Sequence, residues 1–170
     1  AYFIGDANNN TVGGTAAGEA NVISGNGRFG VWLTNNSNNN VVLGNLIGTQ
    51  PDGATALPNQ ISGVELSGTA NTIGGTATNE RNVISGNTQH GVHITSASAT
   101  NNSVLGNFIG VNATGTVALG NGIGVTIEVS ATGNTIGGTA AGSANVISGN
   151  TGDGIRITNA PGNTVAGNRI

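Results

Sequence analysis

The chain has 170 residues, enough for one domain, and only 6% of them are charged and 3% aromatic. Its net charge is −3, with four arginines and no lysine. Nucleic-acid binding needs clustered positive charge, so this composition argues against a nucleic-acid-binding protein. The absence of cysteine excludes a disulfide framework and a thiolate metal site, and no apolar run approaches the roughly 18 residues of a membrane span.

A motif in two parts recurs along the chain and identifies it as an internal repeat. NT[VI]GGT is followed each time by NVISGN, and the copies start at residues 10, 71 and 134, which are 61 and 63 residues apart. The copies lie at 10–15 with 21–26, at 71–76 with 82–87 and at 134–139 with 145–150. With 31 glycines and 27 asparagines, this composition predicts a solenoid of short strands and tight turns.

Two columns of asparagine divide the chain into six turns of about thirty residues. The first column precedes a Val or Ile and, four residues on, a glycine: Asn10, Asn40, Asn71, Asn102, Asn134 and Asn163. The second column stands two residues before an isoleucine: Asn21, Asn45, Asn82, Asn107, Asn145 and Asn168. Because the spacing is almost constant, we expect equivalent asparagines to lie one above another.

A glycine followed by an apolar-x-apolar strand opens each later turn. The strands lie at residues 30–33, 63–66, 91–94, 124–127 and 154–157, and residues 1–4 fill this slot in the first turn. The alternation predicts that the middle residue points outward. With two further strands beside the asparagines, each turn is predicted to be a triangular coil.

Insertions of two kinds alternate from turn to turn. Turns one, three and five carry them between the second and third strands, at 15–20, 76–81 and 139–144. Turns two and four carry them after the third strand, at 49–62 and 111–123. We therefore expect the insertions to form two rows on the surface.

Stacking of the coils roughly 4.8 Å apart would pair the backbone groups that a single coil leaves open. Each asparagine amide would then donate to one neighbour and accept from the other, as in the ladders of cross-β structures. The alternative is that asparagine only marks surface turns. The ladder is favoured because its phase is kept through six turns.

The N-x-[VI]-x-G-N-x-I and G-V-x-[IL] patterns, plainest at residues 102–109 and 91–94, resemble the parallel β-helix repeats of large bacterial secreted and cell-surface proteins. These belong to the pectate-lyase-like right-handed β-helix superfamily. The resemblance covers essentially the whole chain and implies an all-β, right-handed, single-stranded parallel β-helix. It implies less about function, because a fold does not fix a chemistry.

The outward column of the opening strand is the varied part of the repeat. It reads Phe3, Trp32, Glu65, His93, Thr126 and Arg156. Enzymes of the superfamily use clustered carboxylates, but Glu65 and Glu128 are expected to have backbones roughly 12 Å apart, with nothing in the sequence to hold them together. We therefore assign no catalytic residue, no cofactor and no metal.

A binding surface is the other interpretation of this column, with Phe3, Trp32, Glu65, His93 and Arg156 as candidate carbohydrate contacts. Aromatic faces beside polar groups can stack on sugar rings. The simpler alternative, that a neighbouring loop or chain covers Trp32, is favoured over a carbohydrate site.

No capping helix is evident at either end of the repeat, although open solenoid ends usually need one. The sequence thus predicts one uncapped solenoid domain over 1–170, either a segment of a longer array or a unit that stacks end to end on itself. The expected role is a structural module of an extracellular fibre, sheath or surface stalk. Carbohydrate binding or polysaccharide cleavage on the face of Trp32, Glu65 and His93 is the alternative.

Overall fold

The structure, a computed structural model, describes the backbone of residues 2–3 and 6–170 and the side chains of residues 6–170. These residues form seventeen short strands and a single 3-10 turn at Thr78–Glu80. In chain order, coil by coil, the strands are β1 (Tyr2–Phe3), β2 (Thr11–Gly13) and β3 (Val22–Ile23); β4 (Val31–Leu33), β5 (Val41–Leu43) and β6 (Leu46–Ile47); β7 (Ser62–Leu66), β8 (Thr72–Gly74) and β9 (Val83–Ile84); β10 (His90–Thr95), β11 (Ser103–Leu105) and β12 (Phe108–Ile109); β13 (Ile123–Glu128), β14 (Thr135–Gly137) and β15 (Val146–Ile147); β16 (Ile155–Thr158) and β17 (Thr164–Ala166).

Each coil gives one strand to each of three sheets, and every neighbouring pair of named strands is parallel. Sheet A contains β1, β4, β7, β10, β13 and β16; sheet B contains β2, β5, β8, β11, β14 and β17; sheet C contains β3, β6, β9, β12 and β15. The sixth coil lacks a full third strand and reaches sheet C only through a bridge from Arg169 to Val146. The predicted right-handed parallel β-helix, with three strands per coil and an incomplete last coil, is confirmed, at about 31 residues per coil.

The core is a set of stacked β-branched and leucine side chains that point inward from all three sheets. In sheet B the register places Val42, Ile73, Val104 and Ile136 in one column, and all four are fully buried. Burying such a side chain stabilises the fold by about 1.5–3 kcal/mol. The short apolar-x-apolar strands therefore supply a continuous core without the large aromatic residues that most domains use.

Both predicted asparagine columns form continuous ladders. In the first, Asn71 donates from its backbone N and its Nδ2 to Oδ1 of Asn102, at 2.8 and 3.0 Å. The same pair of bonds joins Asn10 to Asn40, Asn40 to Asn71, Asn102 to Asn134 and Asn134 to Asn163. In the second it joins Asn21, Asn45, Asn82, Asn107, Asn145 and Asn168 in turn. Every rung donates toward the C-terminal coil.

A third ladder lies at the corner between sheets C and A and was not predicted. It joins Asn26, Asn59, Asn87, Asn121 and Asn150 by side-chain bonds of 2.7 to 3.0 Å. Two of these residues lie within the insertions predicted at 49–62 and 111–123. Both predicted insertions extend one residue too far, because residues 62 and 123 are already the first residues of β7 and β13.

The insertions form two rows, as predicted, and loops two coils apart contact each other directly. In the row between sheets B and C, Asn79 Nδ2 donates to Thr15 O at 3.3 Å. In the row after sheet C, Ala113 N donates to Gly53 O at 2.8 Å. Each contact spans an intervening coil and so ties alternate coils together.

The part of the chain that the structure describes holds no helix with the length and apolar character of a membrane span.

Candidate functional site

The outward column of sheet A has the order that the sequence predicts from the second coil onward. Backbone pairing places Trp32 beside Glu65, Glu65 beside His93, and His93 beside Thr126. Thr126 in turn pairs with Arg156. Four candidate residues therefore share one face of one sheet.

The first strand departs from this prediction by one residue. Tyr2, not Phe3, pairs with Trp32, and Phe3 pairs with Leu33, a residue whose side chain is in the core. The alignment of residues 1–4 with the later strands was therefore wrong in register. The side chain of Phe3 lies outside the described residues.

Glu65, His93 and Glu128 form a hydrogen-bonded chain across three coils. His93 Nδ1 lies 3.1 Å from Oε2 of Glu65 on the preceding coil, and His93 Nε2 lies 3.1 Å from Oε1 of Glu128 on the following coil. The sequence analysis found nothing to hold the two carboxylates together, and that was wrong. The imidazole lies between them and contacts both.

The surroundings of this trio are polar and largely buried. Glu65 is only 7% exposed, and its Oε2 also accepts a bond of 2.9 Å from the hydroxyl of Ser62. The ring of His90 stacks on that of His93, with centroids 4.5 Å apart and planes inclined by 21°. His90 Nδ1 lies 2.9 Å from Oγ1 of buried Thr126.

The pKa values of the two histidines are shifted in opposite directions. Burial alone lowers the pKa of His93, but the hydrogen bonds and charges of Glu65 and Glu128 outweigh it, so the pKa of His93 is raised. Burial lowers the pKa of His90, and the charge of His93 lowers it further. The more distant carboxylates oppose that shift without reversing it. As pH falls, His93 is therefore expected to take up a proton before His90.

Arg156, another candidate, contacts a residue of its own coil. Its Nε donates to Oδ2 of Asp153 at 2.7 Å, and the two side chains are 48% and 53% exposed. An exposed pair of this kind stabilises a protein by at most about 1 kcal/mol. Arg156 adds positive charge at the border of the histidine site.

Trp32 is half-buried and belongs to an aromatic cluster with two residues that the sequence analysis did not identify. Its ring lies 5.0 Å from that of Phe29, and the guanidinium of Arg28 lies 5.1 Å from the Trp32 centroid. A shallow groove of about 280 Å³ runs beside it, lined by Trp32, Thr34, Asn35 and Ser67. Residues 28–29 directly precede the glycine that opens β4, and this closeness to Trp32 in the sequence could have indicated the contact.

The chemistry of this face is that of proton sharing and ring stacking. Among the described residues, no group of three or more His, Asp and Glu side chains is arranged to hold a metal ion. Both ring nitrogens of His93 are already engaged by carboxylates.

Comparison of the chain with protein-family models, curated proteins and solved structures gives no match.

Proposed function

We propose that this chain is a structural β-solenoid module of an extracellular fibre, sheath or surface stalk, assembled by the stacking of coils. The observation that carries the proposal is the set of three asparagine ladders, which repeat the same bonds from coil to coil. Among the described residues, no buried side-chain nitrogen or oxygen lacks a hydrogen-bond partner. A scaffold built in this way is rigid along its axis and can be lengthened without a new interface.

The coil surface is complementary to itself. Asn71 and Asn102 each offer their backbone N–H and an Nδ2 hydrogen to the Oδ1 of the ladder asparagine in the coil after them, and Oδ1 of Asn102 accepts the same two bonds from the coil before it. At the ladder positions, one side of a coil therefore presents acceptors and the other side presents donors at matching spacing, and the strands beside them add backbone bonds in the opposite direction. A further coil from the same chain or from a second copy satisfies this surface equally well, which supports end-to-end assembly.

The extracellular setting rests on the repeat itself. Its N-x-[VI]-x-G-N-x-I and G-V-x-[IL] patterns resemble those of secreted and surface β-helices, and we propose membership of the pectate-lyase-like superfamily on the same basis. The absence of cysteine makes such a module independent of redox conditions. The ladders replace the disulfides that many secreted domains use for stability.

The test uses a polypeptide of residues 1–170, studied by sedimentation over a wide concentration range and by electron microscopy. We expect particles of constant width that lengthen with concentration. Val165→Lys places a charge in the inward column of the last coil and should abolish lengthening. Thr164→Lys adds the same charge at the preceding residue, which faces outward, and should not. A species of fixed size at all concentrations, or equal behaviour of both variants, would refute assembly by stacking.

A second function, carbohydrate binding, is supported by the groove beside Trp32. A half-buried indole next to Thr34, Asn35 and Ser67 offers a stacking face and hydroxyl and amide partners for a sugar ring. Binding to a glycan array should disappear in Trp32→Ala and persist in Phe108→Ala, which removes an aromatic ring from sheet C. Unchanged binding by Trp32→Ala would exclude this groove, and a screen for released sugars or unsaturated ends tests cleavage.

A further inference from the structure

His93 joins three consecutive coils from the outside of sheet A. It belongs to β10, and its two ring nitrogens contact Glu65 of β7 and Glu128 of β13 at 3.1 Å each. We propose that His93 is a proton-operated clamp, whose ring bonds to the carboxylates of both neighbouring coils when it is protonated and to only one of them when it is neutral.

With both carboxylates ionised, the two contacts call for two protons on the ring. An ionised carboxylate only accepts hydrogen bonds, so each of the two contacts needs an N–H on the imidazole side. The imidazolium has two such groups and fulfils both contacts. A neutral imidazole has one, so one ring nitrogen then directs its lone pair at a carboxylate, and that contact becomes repulsive. Loss of one proton therefore opens one side of the clamp.

Because Glu65 is buried, loss of the imidazolium beside it has an energetic cost. Glu65 is almost wholly buried and has Ser62 as its other side-chain partner, so an ionised Glu65 without the imidazolium is poorly compensated. Glu128 is 37% exposed at its side chain and can be solvated. The side toward Glu128 is thus the one that opens with less cost.

Four further polar or charged groups surround His93 and its immediate partners. His90 stacks on it from the same strand, and Thr126 of β13 holds His90 through its hydroxyl. Arg156 of β16 acts on His90 by its charge, and Ser62 of β7 holds Glu65. The two carboxylates dominate the environment of His93, whereas the ring of His90 has only the Thr126 hydroxyl as a hydrogen-bond partner in the described structure.

The two histidines give opposite dependences of stability on pH. The pKa of His93 is raised in the folded state, so its contribution is complete below the unfolded value of about 6.5 and is lost as pH rises through the folded value. The pKa of His90 is lowered, so its penalty is largest in acid and disappears as pH rises toward about 6.5. We therefore expect stability to be greatest near pH 6.5, with a loss on either side.

Equilibrium unfolding between pH 5 and 9 tests the clamp, with His93→Gln and His90→Gln as a matched pair. Above pH 6.5 the unfolding constant of the unmodified chain should rise with pH, by at most about tenfold per pH unit, since one proton is involved. His93→Gln should lose this alkaline dependence and keep the acid one. His90→Gln should do the reverse. Equal alkaline slopes in the unmodified chain and His93→Gln would overturn the proposal.

A measurement without substitution covers the case in which a variant does not fold. In ¹⁵N spectra of the unmodified chain, both ring nitrogens of His93 should carry protons at pH 6.5, and its titration should lie above that of His90. A His93 ring that is neutral at pH 6.5, or that titrates below His90, would contradict the clamp.

Discussion

Replacement of one buried ladder residue, Asn102→Ala, is the sharpest test of how this fold is held together. Asn102 is fully buried and accepts from N and Nδ2 of Asn71 at 2.8 and 3.0 Å. It also donates from Nδ2 to Gly68 O and to Asn134 Oδ1, each at 2.9 Å. The substitution therefore removes four hydrogen bonds from the interior.

Not all four losses cost the same. Asn71 Nδ2 keeps its bond to Ser37 O, and Asn134 Oδ1 keeps the backbone N–H of residue 102. The backbone N–H of Asn71 loses its acceptor, and a buried unsatisfied donor costs about 1–3 kcal/mol. With a net value of about 1 kcal/mol for each of the three other lost bonds, we expect the free energy of unfolding to fall by about 4–6 kcal/mol.

Urea unfolding followed by circular dichroism measures this change as a shift in midpoint at constant slope. Asn10→Ala is the matched control, because Asn10 is an exposed rung of the same ladder and donates from Nδ2 only to Asn40 Oδ1 and Asn8 O. Its loss leaves no buried donor unsatisfied, and we expect a cost of about 0.5–1 kcal/mol. Equal costs for the two variants, or a cost below about 1 kcal/mol for Asn102→Ala, would refute the ladder as a source of stability.

Two further substitutions test the loops and the aromatic cluster. Gly142 and Gly18 occupy the same place in equivalent insertions and have φ of +81° and +88°, but a Cβ on Gly142 would overlap Thr76 O whereas one on Gly18 meets open space. Gly142→Ala should therefore cost about 1–3 kcal/mol more than Gly18→Ala, and equal unfolding midpoints would contradict the contact between loops. Arg28→Ala removes the guanidinium 5.1 Å from the Trp32 ring and should cost about 0.5–1 kcal/mol. Emission from this only tryptophan should shift to the red, and an unchanged spectrum would mean that the cation is not seated on the indole.

The fold could be predicted from the sequence because every coil repeats the same local pattern. Asn71 and Asn102 stand 31 residues apart, and so regular a spacing leaves few alternatives to stacking. The third ladder was harder to recognise, because an insertion precedes every second member and none precedes the others. Asn87 comes five residues after Asn82, whereas Asn121 comes fourteen after Asn107. Counting backward from the glycine that opens the next strand aligns four of them, each four residues before that glycine, and leaves Asn121 one residue out of step.

The site could be predicted only in part. The alternation of side chains along a strand determines which residues face outward, but it does not determine what those side chains contact. The order Trp32, Glu65, His93 follows from register alone. His93 pairs with Thr126 but contacts Glu128, two residues farther along the same strand. This contact depends on side-chain rotamers, which the sequence pattern does not indicate. Likewise, Arg156 contacts Asp153 of its own coil rather than a residue of a neighbouring coil.

The claim that coils lie in register, one directly upon another, can be measured by NMR through scalar couplings across hydrogen bonds. Ser103 N–H should couple to the carbonyl of Asn71, and Thr135 N–H to that of Asn102, at the N···O distances of 2.9 and 2.8 Å seen here. Detection of these couplings, between residues 32 and 33 positions apart, would confirm the parallel stack. Couplings from the same amides to residues within a few positions in the chain, or to residues of an antiparallel neighbour, would contradict it.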